Sequence, residues 1–194
     1  MKFFSKINRG LVLLIILVLG VAIFLVIQSN YQSRETPKIK EVCQQYINTV
    51  IDYKQLPQHY RKANPEIPQN ELEKHIQAMT DDIKAFYTDN VQTYKTVIKD
   101  YKSDLENQAR GIGVVYNYKK EIKDYENIIF NGDNVTVSII TNSVREDSEL
   151  KQRASSQTTD TISLQKVNGQ WKVIYADLLE PMQAIEEPML NINR

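Results

Sequence analysis

The chain has 194 residues, and its 24 basic and 24 acidic side chains give a formal net charge of zero at pH 7. This length suits one domain of ordinary size. The absence of an excess of Lys and Arg excludes a nucleic-acid binder, which must displace counterions from phosphates, and a single cysteine, Cys43, excludes an internal disulfide.

A stretch without one polar side chain runs from Leu11 to Ile27. At about 1.5 Å per residue, a helix of this length spans the hydrocarbon core of a bilayer, with Gly10 and Gln28 adding length at its ends. A water-soluble domain has no need of a helix that is apolar on every face. The sequence therefore predicts a transmembrane anchor over residues 11–28, with the lipid bilayer as its partner.

The flanks of this anchor set its orientation. Lys2, Lys6 and Arg9 precede it, and residues 1–10 contain no acidic side chain. The positive-inside rule places residues 1–10 in the cytoplasm as a basic segment and the bulk of the chain outside the cell membrane. Because an exported chain with one cysteine fits a bacterial cell surface, we expect a single-pass protein of a bacterial cell envelope.

A cleaved signal peptide is the competing interpretation of the same stretch, because it shares the basic start and the apolar middle. The apolar run is longer than the usual core of a signal peptide, and residues 28–32 contain no Ala-x-Ala cleavage site. These two features favour an uncleaved anchor.

Polar residues 29–37 are predicted to form a linker, and residues 38–180 an extracytoplasmic domain. Three helical patterns follow the linker, at about residues 38–54, 70–86 and 91–109, with apolar residues at three- and four-residue steps. Each apolar stripe is too short for an intermolecular coiled coil, so the stripes indicate helices that pack on a core.

The second and third helices carry boundary signals. Asn70 and Glu73 have the spacing of a capping box at the start of the second helix. Gly111 stands where a glycine would end the third.

Beyond Gly111 the apolar period changes to two, which predicts strands. Tyr116 and Tyr118 open a strand-like region that continues to Phe130. After an Asn131-Gly132-Asp133 turn signal, residues 135–140 show the alternation. Residues 145–159 are polar and are predicted to be either a flexible loop or the end of a long hairpin.

The strongest turn signal is Asn168-Gly169, because both central positions of a type I′ hairpin turn need a positive φ. Pairing about this turn predicts one apolar face, made by the opposed pairs Lys166/Trp171, Leu164/Val173 and Ile162/Tyr175. Helices should cover that face, so the predicted fold is α+β, with about three helices on a curled antiparallel sheet of four or more strands.

The closing segment, residues 163–174, reads Ser-Leu-Gln-Lys-Val-Asn-Gly-Gln-Trp-Lys-Val-Ile. Together with the preceding helices, it resembles the nuclear transport factor 2-like (cystatin-like, SnoaL-like) superfamily over roughly residues 38–178. The resemblance implies a cone-shaped sheet wrapped around a helix, with a pocket at its open end. One departure is that many members place a helix between early strands, whereas here all the helices precede the sheet.

Members of that superfamily include isomerases, dehydratases, ligand binders and partner-binding modules, and the fold does not select among them. In organisation the chain is similar to the inner-membrane scaffold subunit of type IV secretion machines. That subunit also has a short cytoplasmic start, one membrane helix and an outer domain of this fold.

An isomerase-type pocket would need a carboxylate base and donors for a developing oxyanion. Asp177 and Asp124 are the weak candidates for the base, and an exposed strand position is the simpler interpretation of each. The possible pocket-lining residues are Tyr116, Tyr118, Trp171 and Tyr175. The sequence contains no phosphate-binding loop, no nucleophile motif and no ligand spacing for a metal, so we expect no cofactor and no metal.

The sequence therefore predicts a non-catalytic, membrane-anchored interaction or scaffold domain, as in a secretion or conjugation machine. Its expected partners are proteins of the same membrane or a second copy of the chain. The alternative is a small-molecule binder, or an isomerase- or hydrolase-like enzyme that uses the cone pocket. A pocket filled by tyrosines and the C-terminal segment would favour the scaffold, and residues 181–194 are expected to be a tail that is dispensable or lies over the pocket mouth.

Overall fold

A computed structural model describes residues 9–88, 93–148 and 153–181. These residues form an α+β fold, as predicted. The elements in chain order are α1 (Arg9–Tyr53), a short 3₁₀ helix (Gln58–Tyr60), α2 (Gln69–Phe86), α3 (Thr93–Ala109), β1 (Val115–Asn131), β2 (Asn134–Asp147), β3 (Ala154–Val167) and β4 (Gln170–Asp177). The chain divides into two compact units, Met1–Lys40 and Glu41–Arg194.

Helix α1 replaces two predicted helices and the linker between them. Residues 29–37 lie inside α1, and so does Pro37. A polar composition does not end a helix, and this segment holds no glycine that would. Proline removes one hydrogen bond, but a long helix can continue past it.

The first unit contains the apolar part of α1. Every side chain from Leu11 to Ile27 is exposed. Among the described residues, one helix is long and apolar enough to cross a membrane, and its most apolar window has a mean hydropathy of 3.4.

The core of the second unit begins with the C-terminal part of α1. Tyr46 and Val50 of the predicted apolar stripe are buried here, and Cys43, Ile47 and Ile51 are buried beside them. Helix α2 contributes Leu72, Met79 and Ile83, and α3 contributes Leu105.

The end of α3 confirms the predicted glycine signal. After α3, Gly111 has a φ of 82°. The Gly111 N–H donates to Gln108 O at 2.9 Å, and the Ile112 N–H donates to Asn107 O at 3.0 Å, which is the glycine-ended arrangement expected.

The capping box predicted at Asn70 is absent. Helix α2 starts one residue earlier, at Gln69, after an N-cap position held by Pro68 without a side-chain cap. Because Asn70 is already inside the first turn, it cannot serve as the N-cap. Glu73, which was to complete the box, instead accepts from the Gln69 side chain at 2.9 Å.

The four strands form an antiparallel sheet in the order β1-β2-β3-β4. Each neighbouring pair is a hairpin, and the β3–β4 turn has the positive φ angles predicted for Asn168 and Gly169, 51° and 81°. Arg145 pairs with Ala154 at the far end of β2 and β3. Residues 145–159 therefore include the end of a long hairpin, and residues 149–152 lie outside the described part.

The β3–β4 hairpin confirms two of the three predicted pairs, Lys166/Trp171 and Leu164/Val173. The third is wrong, because a register shift next to Leu164 pairs Ser163 with Tyr175. One extra residue in β4 reverses the alternation beyond it. Tyr175 is accordingly 49% exposed instead of lying on the face of Trp171.

The sheet is antiparallel but not curled, contrary to the prediction. Strands β2 and β3 pair without interruption from Asn134/Gln165 to Arg145/Ala154. Strong curvature requires bulges or glycine kinks on neighbouring strands. Here the register shifts lie in the pairing of the outer strands β1 and β4 with their neighbours, and β2–β3 has none.

The covered face of the sheet changes character along its length. On β2 the buried side chains are first apolar, Val135, Val137 and Ile139, and then polar, Thr141 and Ser143. On β3 the buried Leu164 and Ile162 are followed in the same direction across the sheet by Asp160. One end of the face is therefore an apolar core, and the other is a buried polar region.

Candidate functional site

A cleft of about 320 Å³ opens beside the polar end of the sheet. It lies where the end of α1, the end of α3, the start of β1, the end of β2 and the C-terminal segment come together. The lining side chains that carry charge or hydrogen-bonding groups are Lys54, Asp104, Asn107, Gln108, Tyr118, Arg145 and Glu180.

Two buried glutamines position the walls of this cleft. The side chain of Gln55 accepts from the Tyr118 N–H and donates to the Tyr118 carbonyl, both at 2.9 Å. The side chain of Gln108 donates to the Lys54 carbonyl at 3.0 Å and accepts from the Val115 N–H at 3.2 Å. The two amides thereby bond the start of β1 to residues 54–55 and to α3.

Tyr118 forms the floor of the cleft between two cations. Lys54 Nζ lies 5.9 Å from the centre of the Tyr118 ring, and Arg145 Cζ also lies 5.9 Å from it. The Tyr118 hydroxyl is buried and makes no hydrogen bond among the described residues. Burial and the charge of Glu180 raise the pKa of this phenol, so it remains protonated at neutral pH.

Glu180 occupies the cleft. Its carboxylate forms ion pairs with Lys54 and Arg145. Burial alone would raise the pKa of the Glu180 carboxyl, but the charges of Lys54, Arg145 and Lys120 outweigh it and hold the pKa below its usual value. The carboxylate is therefore ionised and held between cations.

A buried ion pair lies next to Glu180. Lys120 Nζ and Asp160 Oδ2 are 2.5 Å apart, and neither side chain is exposed. The Thr141 hydroxyl also donates to Asp160 Oδ2, at 2.8 Å. Burial lowers the pKa of Lys120, and its bond to Asp160 offsets part of this effect.

The same ion pair binds the main chain of the C-terminal segment. The Leu179 N–H donates to Asp160 Oδ1 at 2.8 Å, and Lys120 Nζ donates to the Leu179 carbonyl at 2.8 Å. Both main-chain polar groups of Leu179 are thus held by side chains of β1 and β3, directly before the bound Glu180 carboxylate.

Of the four side chains predicted as possible pocket lining, Tyr118 lines this cleft. Trp171 is buried in the core, with its ring 6.4 Å from that of Phe130. Tyr116 is half-buried on β1, and Tyr175 is exposed on β4.

The two candidate bases lie outside the cleft. Asp177 is exposed at the end of β4, and Asp124 is exposed on β1, where its carboxylate accepts from the neighbouring Tyr125 N–H at 2.8 Å. The structure does not bring them together with the cleft tyrosine.

Sequence reasoning missed Lys54, Lys120, Arg145, Asp160 and Glu180. The strand alternation held a usable signal, because the inward positions of β2 continue from apolar residues into Thr141 and Ser143. The inward series of β3 likewise reaches Asp160. A polar residue in an inward register position indicates either a buried network or a site.

No group of three or more potential metal ligands occurs among residues 9–88, 93–148 and 153–181. His75 is half-buried in α2 and bonds the Gln55 carbonyl at 3.1 Å, and burial lowers its pKa. Cys43 is fully buried, and burial raises the pKa of its thiol to about 12.

Comparison of the chain with protein-family models and with curated proteins gave no match.

Proposed function

We propose that this chain is a membrane-anchored extracytoplasmic interaction domain without catalytic activity, working within a cell-envelope assembly such as a secretion or conjugation machine. The observation that carries the proposal is the exposed apolar segment Leu11–Ile27. A run of this length and hydropathy is stable in a bilayer and would be costly to hold in water. Its basic N-terminal flank supports the orientation with the folded unit outside.

The state of the cleft favours interaction over catalysis. Its cations already neutralise Glu180, and its floor is a tyrosine that burial keeps protonated. General-base catalysis requires a carboxylate or imidazole with access to a substrate. Of the two carboxylates that line the cleft, Glu180 is paired with two cations, and Asp104 is exposed on α3.

We also propose the nuclear transport factor 2-like superfamily for residues 38–178. The order of helices before an antiparallel sheet and the Asn168-Gly169 hairpin with Trp171 support this membership. The uncurled sheet is a departure from the cone of that superfamily.

Anchoring can be tested by cross-linking in intact membranes. A protein in the same membrane meets an anchored domain at high effective concentration, which can raise apparent affinity by about two orders of magnitude or more. We therefore expect the full chain to give a discrete cross-linked species, and a variant with residues 11–27 replaced by a cleavable signal peptide to give at least about ten-fold less. Mass spectrometry then identifies that species as a second copy or another protein.

Asp177→Asn and Asp124→Asn are matched controls for the enzyme alternative, because both keep shape and remove charge at exposed positions. Neither should change the yield of cross-linked species. Equal yields from the anchored and released forms would contradict the proposed function.

A further inference from the structure

The C-terminal segment is bound in the way that a protein binds a peptide ligand. Side chains hold the main chain of Leu179 at both its N–H and its carbonyl, and two cations hold the carboxylate of the next residue, Glu180. Main-chain bonds of this kind supply affinity that does not depend on sequence, whereas the paired cations select an acidic side chain.

The receiving groups belong to parts of the chain far from the segment. Lys54 follows α1, Lys120 lies on β1, Arg145 on β2 and Asp160 on β3. In the buried pair Lys120–Asp160, the ammonium group bonds the Leu179 carbonyl and the carboxylate bonds the Leu179 N–H. Isolated buried charges would be costly, so this pair gains from a partner that brings both a donor and an acceptor.

The cleft also contains one hydrogen-bonding group, the Tyr118 hydroxyl, to which the segment does not bond. The Tyr118 side chain lines it and is 2% exposed, and its hydroxyl has no hydrogen-bond partner among the described residues. A buried hydroxyl without a partner is unfavourable, so a ligand that displaces Glu180 and reaches this hydroxyl binds more tightly than one that does not. Glu180 leaves this hydroxyl unpaired.

We propose that this cleft is a recognition site for an extended acidic peptide segment of a partner protein, and that Leu179–Glu180 occupies it as an internal ligand until that segment displaces it. This inference rests on the proposed interaction function and names the chemistry of the partner. The partner segment carries Asp or Glu, preceded by a residue whose main-chain N–H and carbonyl take the place of those of Leu179, with a further polar group that reaches Tyr118.

The test uses the full chain in detergent micelles and a blocked, fluorescein-labelled peptide, Ala-Asp-Leu-Leu-Glu-Pro, which copies residues 176–181. Its matched control peptide has Gln in place of the Glu. Glu180→Gln removes the charge of the internal competitor at nearly constant shape. In fluorescence anisotropy, we expect this variant to bind the Glu peptide at least about ten-fold more tightly than the unmodified chain does, and at least about ten-fold more tightly than it binds the Gln peptide.

Arg145→Gln in the Glu180→Gln background should abolish binding, whereas Lys119→Gln, an exposed lysine on β1, should leave it unchanged. If Glu180→Gln fails to fold by circular dichroism, Glu180→Asp serves instead, because a side chain shorter by one methylene weakens the contact of the internal competitor with Lys54 and Arg145 while it keeps the charge in the cleft. Absence of binding, equal binding of the Glu and Gln peptides, or insensitivity to Arg145→Gln would each overturn the proposal.

The outcomes also separate this inference from the proposed function. Cross-linking that depends on the anchor, without peptide binding, would leave the interaction function in place and remove the acidic-peptide site. Selective peptide binding together with cross-linking that is indifferent to the anchor would support the site and contradict membrane tethering.

Discussion

At the scale of single residues, the Lys120–Asp160 pair is a buried ion pair that joins β1 to β3. Both side chains are completely buried, yet they are also bonded to Thr141 and to the main chain of Leu179. A buried pair of charges is stabilising only when its remaining donors and acceptors are satisfied. The docked C-terminal segment provides hydrogen-bond partners for both members of this pair.

Asp160→Ala should destabilise the fold by about 3–5 kcal/mol, because it leaves the Lys120 ammonium buried without its counter-charge. The matched control is Asp124→Ala on β1, which removes an exposed carboxylate and should change stability by about 0.5 kcal/mol or less. Urea unfolding of the full chain in micelles, followed by the fluorescence of Trp171, gives both values. A loss below about 1 kcal/mol for Asp160→Ala would show that the pair contributes little.

Trp171→Ala should cost about 3–5 kcal/mol, because the indole is buried and its removal leaves a cavity beside Phe130. Tyr175→Ala provides the comparison on the same strand. Because Tyr175 is 49% exposed, this substitution should lower the free energy of unfolding only slightly. Far-UV circular dichroism during urea unfolding measures the two changes. Equal costs would mean that the register shift in β4 does not separate the faces as described.

At the scale of elements, the β3–β4 hairpin depends on its two-residue turn. Gly169 has a φ of 81°, and a Cβ there would meet no atom within 4 Å. A larger residue is therefore disfavoured here by the backbone conformation and not by contacts with neighbouring atoms.

Gly169→Val should for that reason destabilise the fold, because a β-branched residue is strained at this φ. Asn168→Gly, at the neighbouring position with a φ of 51°, should be tolerated because glycine adopts this region without strain. Thermal unfolding compares the two variants. An unchanged melting temperature for Gly169→Val would contradict the type I′ turn.

The stability that the docked C-terminal segment contributes should depend on pH, because Glu180 is titratable. Its carboxyl pKa is lowered in the folded chain, so the stabilisation is complete above the unfolded value of about 4.3 and is lost as pH falls through the lowered pKa. The stability difference between the unmodified chain and Glu180→Gln should therefore be present at pH 6 and be smaller at pH 3.

Asp104 offers a control of opposite sign in the same cleft, because burial raises the pKa of its carboxyl. Asp104→Asn should be neutral or stabilising at pH 6, and any gain should disappear as pH falls and the native carboxyl becomes protonated. Urea titrations at the two pH values measure both effects. A pH-independent difference for Glu180→Gln would show that its ion pairs do not hold the segment.

At the scale of the whole molecule, the prediction is one of topology. The basic start and the apolar segment Leu11–Ile27 lead us to expect a full-length chain in the membrane with its C-terminus outside. A C-terminal tag should be digested by protease added to cells with a permeable wall, and the mature protein should begin at or near Met1. Protection of the tag would contradict the orientation, and a mature N-terminus near Ser29 would show cleavage.

The features that depend on local order could be predicted from the amino-acid sequence. They are the exposed apolar helix, the α+β class, the glycine end of α3 and the Asn168-Gly169 turn, and each follows from periodicity or from the φ preference of one residue. The continuity of α1 through Pro37 could not be predicted with the same rules, since a polar stretch with a proline fits either a linker or a helix.

The site, in contrast, depends on the packing of the folded chain. Lys54, Tyr118, Arg145 and Glu180 are far apart in sequence, and no motif spacing links them, so their convergence depends on how the helices cover the polar end of the sheet. The position of Tyr175 also depends on the fold, because a bulge exchanges inward and outward positions without any local signal in the residues themselves. Packing brings distant charges together, and periodicity along a chain does not record which of them will meet.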